Sequence, residues 1–252
     1  MTGQQAVRGL LVRGMLVGLA AGILMFAFAK VLGEPAIDKA IAFEGPSHDP
    51  PLVSRALQST LGLLTGTVFY GVAMGGVFAL VFAAVYGRVG HARPRITAAT
   101  LALTAFAVIV LIPFLKYPSN PPAVGNEDTI DYRTEIYFAM LAISVAAALA
   151  ALRLGRDTTK RFGAYHGTLL AVAAYLALTL VAALIMPDLD EVPKGFPADV
   201  LWDFRVATLG THIVLYTTLG LGFGALAERW LTGAAAAGRY RTSSLSARAP
   251  HS

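Results

Sequence analysis

His212 is the side chain in this sequence best placed to do chemistry inside an apolar environment. A neutral imidazole binds divalent metals or relays protons. It lies several residues into an apolar run, about two turns past Asp203 and Arg205. An ionisable group at such a position is costly, which makes it a functional candidate. A histidine hydrogen-bonded to a neighbouring helix is the plainer alternative. His166 sits beside Lys160 and Arg161, a cationic surround that suits a cation poorly.

Carboxylates supply the other donors. They cluster in three polar segments: Glu34, Asp38, Glu44 and Asp49, with His48; Glu127, Asp128, Asp131 and Glu135; and Asp188, Asp190, Glu191, Asp199 and Asp203. A face this acidic concentrates cations. The donor inventory is oxygen and imidazole, and the chain has no cysteine. That suits Mg, Mn, Co or Ni and disfavours Cu(I). The expected metal candidates are His212, His48, Asp203, Glu127 and Asp128. No H-E-x-x-H, G-x-S-x-G or nucleotide-binding motif occurs, so an enzyme is not expected, and neither is a tightly bound cofactor.

The elements that carry these residues follow from composition. Of 252 residues, 56% are hydrophobic and 14% charged, against about 25% charged in a soluble domain. Six apolar runs are long enough to cross hydrocarbon as helices, which takes about 20 residues each. They cover roughly 7–32, 57–86, 96–115, 134–154, 164–186 and 206–231. The expected fold is all-α, a polytopic bundle of six transmembrane helices spanning 1–232, with a disordered basic tail at 233–252. Arg8 and Arg13 followed by an apolar run ending "AFAK" (Ala27 to Lys30) also read as a cleavable leader. Cleavage would leave five helices.

Charge sets the orientation. With the N-terminus inside, the inner segments hold 13 of the 20 basic residues and two of the 15 acids, a net charge of +11. The outer segments hold seven basic residues and 13 acids, a net charge of −6. The excess of Lys and Arg marks the cytoplasmic side, so both termini are expected inside and the chain is a multi-pass protein of the cytoplasmic membrane. The high pI is membrane topology, and no nucleic acid partner is expected. Lys30 and Lys116 lie near outer helix ends, where they can snorkel.

Small residues recur at spacing four: Gly14, Gly18 and Gly22; Gly62 and Gly66; Gly71 and Gly75; Gly220 and Gly224. Such ridges let helices approach closely in lipid. They serve bundle packing, a subunit contact such as one between copies in a homo-oligomer, or a sliding surface, and these readings stay open.

Residues 113–134, "PFLKYPSNPPAVGNEDTIDYRT", form a stiff polar connector. Pro113 ends the third helix or kinks its last turn. Pro118, Pro121 and Pro122 hold an extended path, and Asn126 to Thr129 offer helix caps.

The run P-x-L-K-Y-P-x-N-P-P-x-V-G, Pro113 to Gly125, continues into D-T-I-D-Y-R-T-E-I-Y. With "FPADVLWDFRVATLG", Phe196 to Gly210, it resembles the CbtA family of predicted cobalt transporter subunits. The resemblance runs from the first helix to about Leu231. It implies Co2+ uptake for cobalamin synthesis, beside the lipid bilayer and a small CbtB-like partner with a histidine-rich motif. Motif positions carried over are Lys116, Tyr117, Pro118, Asn120, Pro121, Pro122, Gly125, Thr129, Arg133, Thr134, Trp202, Phe204 and Arg205. The resemblance also implies a histidine-rich first outer loop, where this chain has only His48. On this reading the outer carboxylates and His48 collect the ion, the two motif segments shape a mouth, and His212 is a ligand within the membrane. A scaffold subunit without its own ion pathway is the alternative, and a membrane-embedded enzyme a more distant one.

Overall fold

The computed structural model describes residues 3–45, 53–88 and 92–233. His48, Asp49 and the basic tail lie outside the described residues. Among those described, the fold is all helix, with no strand. Five helices are long and apolar enough to cross a membrane: α1 (Gly3–Glu44), α2 (Arg55–Val85), α3 (Pro94–Lys116), α4 (Ile130–Ile185) and α5 (Ala198–Gly233).

The expected fourth and fifth spans are one element, α4. The polar run 155–162 stays helical, so the loop expected there shrinks to one residue, Gly163, at φ 85° and ψ 167°. Only glycine adopts that conformation without strain. The two arms then fold back side by side. A Cβ built on Gly155 would press on Ala171 and the Gly167 carbonyl, and further along the pair Ser144 meets Tyr175.

Two other boundaries differ from expectation. Glu34, Asp38 and Glu44 are helical rather than in a loop, because a π turn at Ala29–Gly33 carries α1 onward through Glu34–Glu44. Trp202 to Arg205 lie within α5, whose helix begins at Ala198, and not ahead of it. Further π turns occupy Gln58–Gly62, Phe106–Leu111 and Leu219–Phe223.

The chain divides into two compact units. In the first, α1 and α2 run antiparallel along a glycine seam. A Cβ on Gly18 would overlap the Gly71 carbonyl, one on Gly75 the Gly14 carbonyl, and one on Gly22 the Thr67 carbonyl. Only hydrogen at these positions permits the approach. Gly62 and Gly66 do not join it, since Gly66 has nothing within 4 Å and Gly62 meets only its own helix at Leu57. Gly220 and Gly224 of α5 rest on Ala102 and Ala98 of α3. This pairing is also antiparallel. Phe223 closes the core edge-on to Phe82 and Phe78, at 5.1 and 5.5 Å. At one end of this unit Arg13 stacks over Trp230, and Arg95 pairs with Glu228.

The second unit holds residues 31–45 and 105–210 of the described chain. Its outward faces are apolar; Leu184 and Ile185 are 77% and 78% exposed. Water does not tolerate such a surface over whole helices, whereas lipid does. Ser144 and Thr179 are buried, and each hydroxyl is paired inside the protein.

The glycine seam makes a contrast that thermal unfolding in detergent measures. Gly71→Val drives a side chain into the Gly18 backbone and is expected to cost about 2 kcal/mol or more. Gly66→Ala meets open space and is expected to gain up to about 1 kcal/mol from helix propensity.

Candidate functional site

The two motif segments meet in the second unit, and the first of them forms a clasp with residues 187–191. Lys116 closes α3 and pairs with Asp188 at 2.5 Å. Tyr117 is buried, and its hydroxyl donates to the Pro187 carbonyl at 2.7 Å. Burial pushes that hydroxyl above its ordinary pKa of 10.0, so it remains a donor. The connector after α3 is thus tied to the connector after α4 at two successive residues.

Glu191 is the second tie. It accepts from the Asn126 backbone N–H at 3.1 Å, and its other oxygen faces the Thr129 hydroxyl at 2.6 Å. Arg133 lies 3.3 Å from the same carboxylate and also donates to the Asn126 carbonyl at 3.0 Å. The Thr129 hydrogen bond, the Asn126 N–H and the Arg133 charge hold the Glu191 carboxyl below its usual range. Gly125, at φ 122°, lies under the Arg133 guanidinium, which any Cβ there would strike. Asn126 also turns the chain by accepting from the Asp128 N–H at 3.1 Å. Glu127 to Thr129 form a 3-10 turn, and Thr134 bonds back to the Ile130 carbonyl at 2.8 Å. Glu191 is one of many acids in the sequence, and nothing in its spacing singles it out as the acceptor for this turn.

A small apolar core backs the clasp. Ala40, Val124, Phe196 and Val200 are buried together, and Phe43 meets Phe196 edge-on at 5.1 Å. Pro121 is buried, and its carbonyl accepts from the Val124 N–H at 3.3 Å, closing the tight turn that Pro121 and Pro122 begin. Pro118 is half-buried beside Tyr117. On α5, Arg205 donates to Asn120 Oδ1 at 2.8 Å, while its Nε is buried without a hydrogen-bond partner. Phe204 is half-buried; Trp202 and Asp203 are exposed.

His212 belongs to the first unit. It is half-buried, its ring stands edge-on to Tyr70 at 6.3 Å, and its Nδ1 is buried with no hydrogen-bond partner. Nine residues along one helix separate it from Asp203, a rise of about 13 Å. Among the described residues, no three His, Asp or Glu side chains gather as a metal centre would require. Asp128 is exposed. Lys30 donates to Ser59 Oγ at 3.0 Å.

The Glu191 clasp has a pH signature. A carboxyl held below its ordinary value of 4.5 contributes stability in full above that value. The contribution disappears as pH falls through the lower folded value. Acid unfolding in detergent is therefore expected to begin at lower pH for Glu191→Gln than its neutral-pH loss of stability would suggest, because one proton-linked step is gone. A pH slope identical to that of the parent chain rules the clasp out as a proton-linked tie.

Residues 7–228 match the model of a family described as "Probable cobalt transporter subunit (CbtA)". No curated protein and no solved structure matches the chain. The match takes in the glycine seam, the clasp and His212, and with it the chain belongs to the CbtA family of probable cobalt transporter subunits.

Proposed function

We propose that this chain is the membrane subunit through which Co2+ is taken up for cobalamin synthesis, crossing the cytoplasmic membrane six times with both termini inside. The family match carries the cobalt assignment. The packing of α3 against α5 supports the crossing number. These helices lie antiparallel, with Gly220 on Ala102 and Gly224 on Ala98. After α3 emerges on one side, α5 can return beside it in the opposite sense only if the chain between them crosses an even number of times. Two arms of α4 meet that condition, and one straight span does not.

In this reading the outer carboxylates, with His48, raise the local concentration of the cation, and the clasp shapes the entrance. His212 offers a ligand within the membrane, through a ring nitrogen that takes no hydrogen bond within the chain. An imidazole suits Co2+ as it does its neighbours among the divalent metals. A doubly charged ion moving inward gains about 4.6 kcal/mol across 100 mV. That supports about a thousandfold accumulation without ATP.

The second reading is a scaffold subunit that leaves the ion to a small CbtB-like partner or a second copy. It is favoured by the pairing of Asp188 and Glu191 with Lys116 and Arg133, which takes two outer carboxylates out of cation capture.

Two experiments follow. The chain has no cysteine, so single replacements report cleanly. Asn120→Cys is expected to react with an impermeant thiol reagent from outside intact cells, and Asp157→Cys only after permeabilisation. Labelling of both from one side overturns the six-crossing topology. In liposomes with an inside-negative potential, the purified chain is expected to take up radioactive cobalt, and His212→Ala to lower the rate about tenfold or more. Uptake that appears only when a partner is added selects the scaffold reading.

A further inference from the structure

The third helix contains a fault whose cause is written in its sequence. The π turn Phe106–Leu111 runs in the register in which a carbonyl accepts from the N–H five residues on, and the Ile112 N–H goes to the Ala107 carbonyl. The next donor in that register is residue 113, a proline without an N–H. The Val108 carbonyl therefore has no backbone donor: Ile112 is already committed to Ala107, and Pro113 has nothing to give.

An acceptor left unpaired in the interior is costly, and here side chains fill it. Ser144 is fully buried on the first arm of α4, and its Oγ donates to the Val108 carbonyl at 2.7 Å. A serine hydroxyl has one proton, and a carbonyl can only accept. The 2.8 Å contact between Ser144 Oγ and the Tyr175 hydroxyl therefore runs from tyrosine to serine. The order is fixed: Tyr175 on the second arm donates to Ser144, which donates to Val108. One chain of two hydrogen bonds ties α3 to both arms of α4.

We propose that the π turn and Pro113 form a hinge in α3, and that Tyr175 and Ser144 are its latch. With the latch made, Ile112–Lys116 is held against the cluster of Tyr117, Ile136 and Met140. With it broken, the Val108 carbonyl loses the Ser144 donor, and the end of α3 can tilt at the hinge together with the segments tied to Lys116, Tyr117 and Asn120. The inference concerns how the entrance segment moves, and it holds whatever ion is carried.

The test uses the full chain in nanodiscs, with spin labels at Leu115→Cys and Leu184→Cys, two exposed positions on the segment after the hinge and on the second arm. The distance distribution between them is expected to be narrow in the parent. Ser144→Ala is expected to broaden it and to speed exchange of the Ile109–Ile112 amides about tenfold, the equivalent of one net hydrogen bond. Pro113→Ala restores an N–H at the fault. Adding it to Ser144→Ala is expected to return both readouts close to the parent. Tyr175→Phe keeps the packing and removes only the outer donor, so it is expected to lie between. A distribution that stays narrow in Ser144→Ala shows a rigid cap and overturns the hinge. Broadening that persists in the double variant overturns the role of Pro113. If Ser144→Ala does not fold, Tyr175→Phe decides alone, broadened for the latch or parental against it.

Discussion

Lipid offers no hydrogen bonds, and much of this structure follows from that constraint. A polar group in the spans is costly unless it finds a partner within the chain, and His212 Nδ1 is an exception. The threonines do so locally: Thr67, Thr100, Thr179, Thr208 and Thr218 each donate to the carbonyl four residues back. Such bonds tend to bend a helix slightly. Where the backbone itself falls short, at Val108, the donor arrives from another helix. The same constraint removes the hydrophobic effect as a force between helices. Packing has to replace it, and this is why the seam between α1 and α2 is built from glycine at five positions, where the backbone of each helix presses on the other.

Outside the spans the constraint relaxes, and the chemistry changes character. The connectors are joined by charge and by backbone donors instead of apolar area. Glu191 takes three partners, two from the turn before α4 and Arg133 from the first turn of α4, while Lys116 and Tyr117 reach the segment that follows α4. Exposed ion pairs contribute little singly. Here they act on segments already restricted by proline and by a small buried core around Phe196, so little conformational entropy remains to be lost when they form.

The sequence carried the helices, because apolar runs of this length admit few other solutions. It carried half of the glycine argument as well. Spacing four marks a face that permits close approach, and the face found its partner at Gly14, Gly18, Gly22, Gly71 and Gly75. The same spacing at Gly62 and Gly66 found none, since a pattern on one helix does not specify what lies opposite. Helix ends were less legible. Charged residues from Gly155 to Arg161 looked like a loop, yet they continue a helix that only Gly163 breaks. Glu34 and Asp38 looked like loop acids, yet a π turn carried the helix past them. The Val108 fault had one visible sign, Pro113. Its partners, a serine and a tyrosine 31 residues apart in apolar runs, are identified only by tertiary contact.

For the proposed uptake, the scattering of donors has a physical consequence. A cage of several fixed ligands around a divalent metal is deep; structural sites bind by about 10–16 kcal/mol. The driving force available from the membrane potential is about 4.6 kcal/mol for a doubly charged ion at 100 mV. An ion resting in such a cage would not be released on a useful timescale by that potential alone. Conduction instead requires sites favourable enough to enter and weak enough to leave. A single imidazole such as His212 and acids spread along the connectors, the ligands of the proposed uptake, would suit that requirement better than a tight centre would. The remaining ligands then come from water, from backbone or hydroxyl oxygen, or from a neighbouring chain, each exchanged as the ion advances. In the proposed uptake the protein would lower the barrier of the crossing, and the potential would supply the direction.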